Sequence, residues 1–205
     1  NRSWWSPPGA GLWMSTLLRP KCDRKTWGGI ALIAGAATRN ALALLGVETV
    51  ELRWPNDLYV QSRKLGGILA ESKDPAAGSW VALGIGINID LQGAGQGNTI
   101  PEELSEQIIC LSEAGPPREK EPGKIALAIL HELRPLYERL QQGEPIREIV
   151  GNSLAAAGRK VSIEQPGRPR LQGTVSGLGK HGELVVEDAG GTFHAIVAGD
   201  VSWDV

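Results

Sequence analysis

The sequence predicts an α+β fold that ends in a small β-barrel, and three observations carry that reading. Two long stretches, residues 26–45 and 124–142, repeat their apolar residues every three or four positions, the period of an amphipathic helix. Short apolar or alternating segments before and between them read as strands. Beyond residue 153 the texture changes to brief alternating segments, roughly ten residues apart and divided by Gly-rich turns, as in a small all-β unit. With 205 residues, 41% of them hydrophobic and 21% charged, the chain can bury a core and has room for one ordinary domain and a smaller one. The boundary is expected near Ala155 to Gly158, giving units of 1–154 and 155–205.

Taken in order, Pro7-Pro8-Gly9 marks a turn, and residues 12–18 read as a first strand. In the first helix Ile30, Ile33, Ala34, Ala37, Ala41, Leu44 and Leu45 share a face, and Gly46 closes it. Residues 50–54 form a short strand stopped by Pro55. Residues 58–60 and 65–71 form two strands joined across Gln61 to Lys64, and the apolar run 80–89 is a buried strand. Pro101 opens a short helix with Glu102 and Glu103 in its first turn. Segments 92–98 and 114–123 are loops. The second long helix carries Ile125, Ala128, Ile129, Leu133, Leu136 and Leu140 on one stripe, with Pro135 inside it, so a kink or break is expected there. Segments 160–163, 171–175, 183–186 and 192–196 are the strands of the C-terminal unit.

Composition removes several function classes. Lys+Arg 21 against Asp+Glu 23 gives a net charge of −2, which suits neither a generally basic nucleic-acid binder nor an acidic tail. Cys22 and Cys110 make neither a disulfide framework nor a zinc cluster, in keeping with a reducing cytoplasm. His131, His181 and His194 are scattered, without metal-ligand spacing. No apolar run approaches the ~18 residues of a membrane span. Gly84-Ile85-Gly86-Ile87-Asn88 fails as a dinucleotide fingerprint, because its third glycine would fall on Ile89 and no helix follows. Gly179-Lys180-His181 lacks the Ser or Thr of a P-loop. The sequence lacks an initiator Met and sets Trp4-Trp5 at its start, so part of the first domain is expected to lie upstream.

Three segments stand out. They are Arg2-Ser-Trp4-Trp-Ser-Pro-Pro-Gly9; Arg53-Trp54-Pro55-Asn56-Asp57 followed by Arg63-Lys64-Leu-Gly66-Gly67-Ile-Leu-Ala-Glu71; and Gly84-Ile-Gly86-Ile-Asn88. Each has a plain structural reading: an Asx turn, a solvated hairpin tip, close backbone packing. Together they supply a cation beside glycines, a carboxylate and an amide at a strand end, room for a flat ligand, and an aromatic face with a guanidinium fork. That set suits a site that joins a small acid to a nucleotide.

In the order and spacing of these segments the sequence resembles a biotin protein ligase. The resemblance covers most of residues 2–90, fades through the middle loops, and returns in the C-terminal unit. It implies a mixed β-sheet with helices on one side, as in class II synthetases and lipoate ligases, followed by an SH3-like barrel. It implies that biotin and Mg²⁺-ATP form biotinyl-5′-AMP, and that the biotinyl group passes to a lysine of a biotin carboxyl carrier protein. Lys64 resembles the family's essential lysine, which holds the biotin carboxylate and stabilises charge on phosphate and acyl oxygens. Asp57 matches the carboxylate that orients or deprotonates the carrier lysine, whose pKa of about 10.4 makes a base necessary. Asn56 and Asn88 match residues on the nucleotide side, Trp4 the ring over adenine, and Arg2 the last arginine of the phosphate-closing loop. Gly66, Gly67, Gly84 and Gly86 match the floor under biotin. The family's homodimer through a sheet edge is compatible with the sequence.

The sequence also departs from the family. Asn1 stands where that loop has a glycine, the Ser-Thr-Asn segment for the biotin ring and the Gln before the loop are absent, and Arg53 replaces the usual Lys. Other readings stay open: a lipoyl or octanoyl transferase relative, a non-catalytic fragment binding nucleotide or carrier, and nucleic-acid binding through Arg159, Lys160, Arg168 and Arg170 on the C-terminal unit.

Overall fold

The computed structural model of the chain describes residues 6–73, 78–91, 102–115, 119–154 and 156–203. Its first sheet holds β1 (Gly11–Leu18), β2 (Glu51–Arg53), β3 (Asp57–Val60), β4 (Arg63–Lys73) and β5 (Trp80–Asn88) in the order β1-β5-β4-β3-β2. Every strand pair is antiparallel. The mixed sheet implied by the resemblance is found only as isolated parallel bridges, Lys64 to Ile108 and Leu52 to Leu154.

Two long helices cover one face, α1 (Ile30–Leu44) and α4 (Pro122–Gln141). Ile30, Ile33, Ala34, Ala37 and Ala41 of α1 share one core with Leu58, Leu65, Ile68, Leu83, Ile85 and Ile87 of the sheet. The first helix begins later than its periodicity suggests. A 3-10 turn, Arg24–Gly29, precedes it, capped by the Asp23 carboxylate accepting from the Lys25 N–H at 3.0 Å. Gly28 and Gly29 favour helix poorly. The helix ends as expected: Gly46 has φ +95°, its N–H reaches the Ala43 carbonyl, and the Val47 N–H reaches that of Leu42.

Pro135 does not break α4. The carbonyl one turn back, on His131, loses its N–H partner, but His131 is exposed and water can take that place. Three short helices, α2 (Glu102–Ser105), α3 (Leu111–Ala114) and α5 (Ile146–Val150), complete the first unit. Only the first of these was expected, and Pro101 lies outside the described residues. Loop 92–98 does too, as do residues 116–118 of the expected loop 114–123.

The C-terminal residues form a second antiparallel sheet: β6 (Lys160–Glu164), β7 (Leu171–Leu178), β8 (Leu184–Asp188), β9 (Phe193–Ile196) and β10 (Asp200–Trp203), ordered β10-β6-β7-β8-β9. The fifth strand was not expected. Among the described residues no ladder joins β9 to β10, because the chain after β9 returns to pair with β6 at the far end. The sheet is therefore open rather than a closed barrel. No helix among the described residues is long and apolar enough to cross a membrane.

Candidate active site

The face of the first sheet opposite the helices holds a cavity of 530 Å³, lined by Trp13, Met14, Ser15, Asn56, Asp57, Lys64, Gly67, Ile68, Leu69, Gly84, Ile85 and Gly86, in scale with small-molecule sites. Strand register explains its shape. Asp57 of β3 faces Gly67 of β4, Gly67 faces Gly86 of β5, and Gly86 faces Trp13 of β1. Paired residues point to the same side of a sheet. One rung thus runs from a carboxylate over two glycines to an indole. The next rung is Leu69, Gly84 and Ser15. The missing side chains at Gly67, Gly84 and Gly86 leave a flat floor between two walls.

Lys64 reaches this face through a bulge. Lys64 and Gly67 are three apart, so a regular strand would put them on opposite faces. The register of β3 and β4 shifts between Leu58 and Tyr59, so that Leu58 pairs with Gly66 and Tyr59 with Lys64. Leu65 is the extra residue and turns into the core, fully buried. Lys64 then lies on the same side as Asp57, with Nζ 2.6 Å from Oδ1. Both side chains keep partial exposure, so the ion pair opens to the cavity.

The backbone of Lys64 is held from the other side as well. Its N–H donates to the Gln107 carbonyl at 2.8 Å, and its carbonyl accepts from the Ile109 N–H at 3.0 Å. Asn88 ties this joint together, its amide donating to the Ile109 carbonyl at 3.1 Å and more weakly to that of Lys64 at 3.4 Å. The expectation for Asn88 was a place on the nucleotide side. The structure buries it behind Lys64, away from the cavity lining.

Asn56 lines the cavity at its Asp57 end. Its amide donates to the Ile68 carbonyl and its own carbonyl accepts the Ile68 N–H at 2.8 Å. Gly66 pairs with Leu58 and Ile87, both fully buried, and so faces the helices rather than the cavity. A Cβ on it would stand 2.4 Å from the Gly86 carbonyl oxygen. Its glycine serves the close approach of β4 and β5. Arg2 and Trp4 lie outside the described residues.

Beside the site, Arg63 pairs with Glu113 at 3.1 Å, and Glu113 accepts from the buried Cys110 thiol at 2.9 Å. The Cys110 bond, followed by Arg63, holds the Glu113 carboxyl below its ordinary range despite partial burial. Burial first, then Glu113, pushes the Cys110 thiol up.

Sequence reasoning passed over Trp13, Ser15 and Leu69. Alternation along β1 puts Trp13, Ser15 and Leu17 on one face, and that face is the cavity wall and its exposed continuation. A large aromatic at an outward position of a strand was the available signal.

The Biotin/lipoate A/B protein ligase family model matches residues 1–88, the stretch that carries the floor, the carboxylate and the lysine. Over 185 residues the chain is 31% identical to the biotin–[acetyl-CoA-carboxylase] ligase of Mycobacterium tuberculosis, covering 86% of this chain and 63% of that protein. The chain belongs to the biotin protein ligase family. It is 33% identical over 143 residues to the bifunctional ligase/repressor BirA of Escherichia coli, covering 69% of this chain. It spans 42% of the length of BirA, so it answers to part of that protein. The apo biotin protein ligase of Aquifex aeolicus superposes with a TM-score of 0.75 at 26% identity, covering 95% of this chain and 82% of that one. The same Aquifex ligase in complex with biotin and ATP superposes at 0.74 with 24% identity, covering 95% and 78%.

Proposed function

We propose that the chain carries the catalytic site of an ATP-dependent ligase that activates biotin as biotinyl-5′-AMP and transfers it to a lysine of a biotin carboxyl carrier protein. The observation that carries this is the glycine-floored rung between Trp13 and the Lys64–Asp57 pair. A substrate can lie close against the sheet where the glycines leave no side chains, and its carboxylate needs a cation at the far end. The Aquifex relative, whose structure holds biotin and ATP, shares this fold.

In the first step, a biotin carboxylate oxygen attacks the α-phosphorus of ATP, the bond to the β-phosphate breaks, and pyrophosphate leaves. Lys64 binds the carboxylate and then offsets the charge that gathers on the phosphoryl oxygens. In the resting site Asp57 pairs with Lys64 and is displaced from it when the biotin carboxylate arrives. Asn56 stands on the phosphate side of Lys64, with Arg2 and Trp4 assigned to phosphate and adenine and Asn88 to the support of Lys64. Mg²⁺ would enter as the complex of ATP and offset phosphate charge there. In the second step, Asp57 accepts a proton from the carrier ammonium. The neutral amine attacks the acyl carbon, AMP leaves with the bridging oxygen, and the amide nitrogen sheds its remaining extra proton to the departing phosphate or to water. Residues 1–154 form the ligase unit and 155–205 an SH3-like unit packed against it.

The test follows labelled biotin onto a biotin carboxyl carrier domain in the presence of Mg²⁺-ATP, with Lys64→Ala as control. Labelling that is lost in Lys64→Ala is expected. Labelling that persists in Lys64→Ala would overturn the assignment.

A further inference from the structure

The hairpin that carries Asn56 and Asp57 lies at the edge of its sheet, where β2 has no further strand beside it among the described residues. The C-terminal unit occupies that side. Arg159 reaches Glu51 at the start of β2 with 3.6 Å between NH1 and Oε2. The Arg53–Asp57 pair closes a turn made of Trp54, Pro55 and Asn56. Trp54, only 3% exposed, donates its indole N–H to the carbonyl of Gly182 at 3.0 Å, across 128 positions of sequence.

Gly182 belongs to the tight turn between β7 and β8, and the fit there is close. Its φ is +92°, and a Cβ on it would come within 3.1–3.3 Å of Leu32, Ile146 and the Cα of Gly29. The Ile146 N–H fastens the same turn through the Lys180 carbonyl at 2.9 Å. The turn at Trp54–Asn56 is thus held from two directions. Asn56 is drawn inward to Ile68 on β4, and Trp54 is drawn outward to Gly182. Asp57 is the next residue, and it leaves the turn in the direction these two anchors set.

We infer that Trp54 is a positioning residue: its bond to Gly182 makes the C-terminal unit a determinant of where Asp57 stands for the transfer step. A buried indole needs a partner for its N–H, but packing alone does not need that partner to come from the other unit. The backbone of Lys64 is held away from this turn, by Tyr59 of β3 and by Gln107 and Ile109. The two half-reactions therefore depend on the tether to different degrees. The inference rests on the role given to Asp57 above.

The experiment measures both half-reactions in the same chain: biotin-dependent exchange of labelled pyrophosphate into ATP, and single-turnover transfer from preformed biotinyl-5′-AMP to the carrier domain. Trp54→Phe keeps the ring and deletes the donor. Gly182→Ala lifts the acceptor turn without altering any residue of the first unit. Each is expected to slow transfer about tenfold, the factor that a 1.36 kcal/mol change in barrier gives, while exchange stays within about twofold. The double variant should be no slower than the slower single variant, since both break one bond. If Trp54→Phe fails to fold, Gly182→Ala alone decides. Unchanged transfer in a folded variant, or equal loss in both half-reactions, would overturn the inference. Asp57→Asn separates the two readings. If it slows transfer while both tether variants do not, the tether fails and the role of Asp57 stands; if it leaves transfer unchanged, the role of Asp57 fails and the inference with it.

Discussion

Gly66 and Gly84 lie one pleat apart in function, although sequence offers no reason to separate them. A methyl group on Gly66 would stand 2.4 Å from the Gly86 carbonyl oxygen, on the helix side of the sheet. A relaxed carbon-to-oxygen contact is about 3.3–3.6 Å, so the clash is about 1 Å deep. The carbonyl cannot turn aside, because Gly86 is held in register by Gly67 on one side and Trp13 on the other. Overpacking of this kind costs about 1–3 kcal/mol, and the better strand preference of Ala over Gly returns about 0.5–1 kcal/mol. Gly66→Ala should therefore destabilise by about 0.5–2 kcal/mol and lower Tm by about 1–8 °C in a chain of this size. At Gly84 the nearest atom to an added Cβ is the Leu69 carbonyl oxygen at 3.8 Å, an ordinary contact. Gly84→Ala should melt at or slightly above the parent temperature, yet place a methyl group on the cavity floor and weaken biotin binding. Thermal melts followed by circular dichroism, beside calorimetric biotin titrations, separate the two effects. A Gly66→Ala chain that melts like the parent, or a Gly84→Ala chain that melts below it with biotin affinity intact, would refute the assignment of faces.

Cys110 is 1% exposed and its thiol is pushed up, first by burial, so at pH 8 the folded chain should resist alkylation there while Cys22, half-buried, reacts. Mass spectrometry of the labelled chain, with and without denaturant, checks this. Because the folded value is raised, the contribution of Cys110 to stability is intact below the ordinary thiol value of about 8.5 and declines as pH rises beyond it. Asp188 behaves oppositely. The bond to His194 at 2.7 Å, then the N–H groups of Thr192 and Gly190, holds its carboxyl below the ordinary range. Its contribution is present above about pH 3.9 and is lost as pH falls through the lowered value. Denaturant melts from pH 5 down to about pH 2 should show a shallower acid limb in Asp188→Asn than in the parent.

Much of this arrangement is legible in the sequence. Period and spacing locate α1, the main part of α4 and the strands through Asn88, because each buries one regular stripe. The Trp-Pro-Asn-Asp, Lys-x-Gly-Gly and Gly-x-Gly segments mark the residues that the structure then brings together at Asp57, Lys64, Gly67, Gly84 and Gly86. What local pattern does not convey is the side on which each residue falls. The bulge at Leu65 inverts the alternation of β4, so it moves Lys64 onto the cavity face and leaves Gly66 on the other. The hold on Lys64 by residues 107–109 and the bond from Trp54 to Gly182 join distant segments, and neither leaves a periodic trace. β10 leaves no local signal because its four residues pair with β6, with Asp200 opposite Glu164, 36 positions earlier, rather than with the preceding strand.

The central claim is that Lys64 holds the biotin carboxylate at the end of the glycine floor. The most direct measurement is a calorimetric cycle of biotin and biotinol, its alcohol analogue, titrated into the parent chain and into Lys64→Ala. A charge-assisted hydrogen bond is worth about 1.5–3 kcal/mol, so removing either the carboxylate or the lysine should weaken binding by about 10- to 150-fold. If the two groups meet, removing both should weaken it no further than the larger single loss, within about twofold. Losses that multiply, or biotin affinity unchanged by Lys64→Ala, would contradict the account.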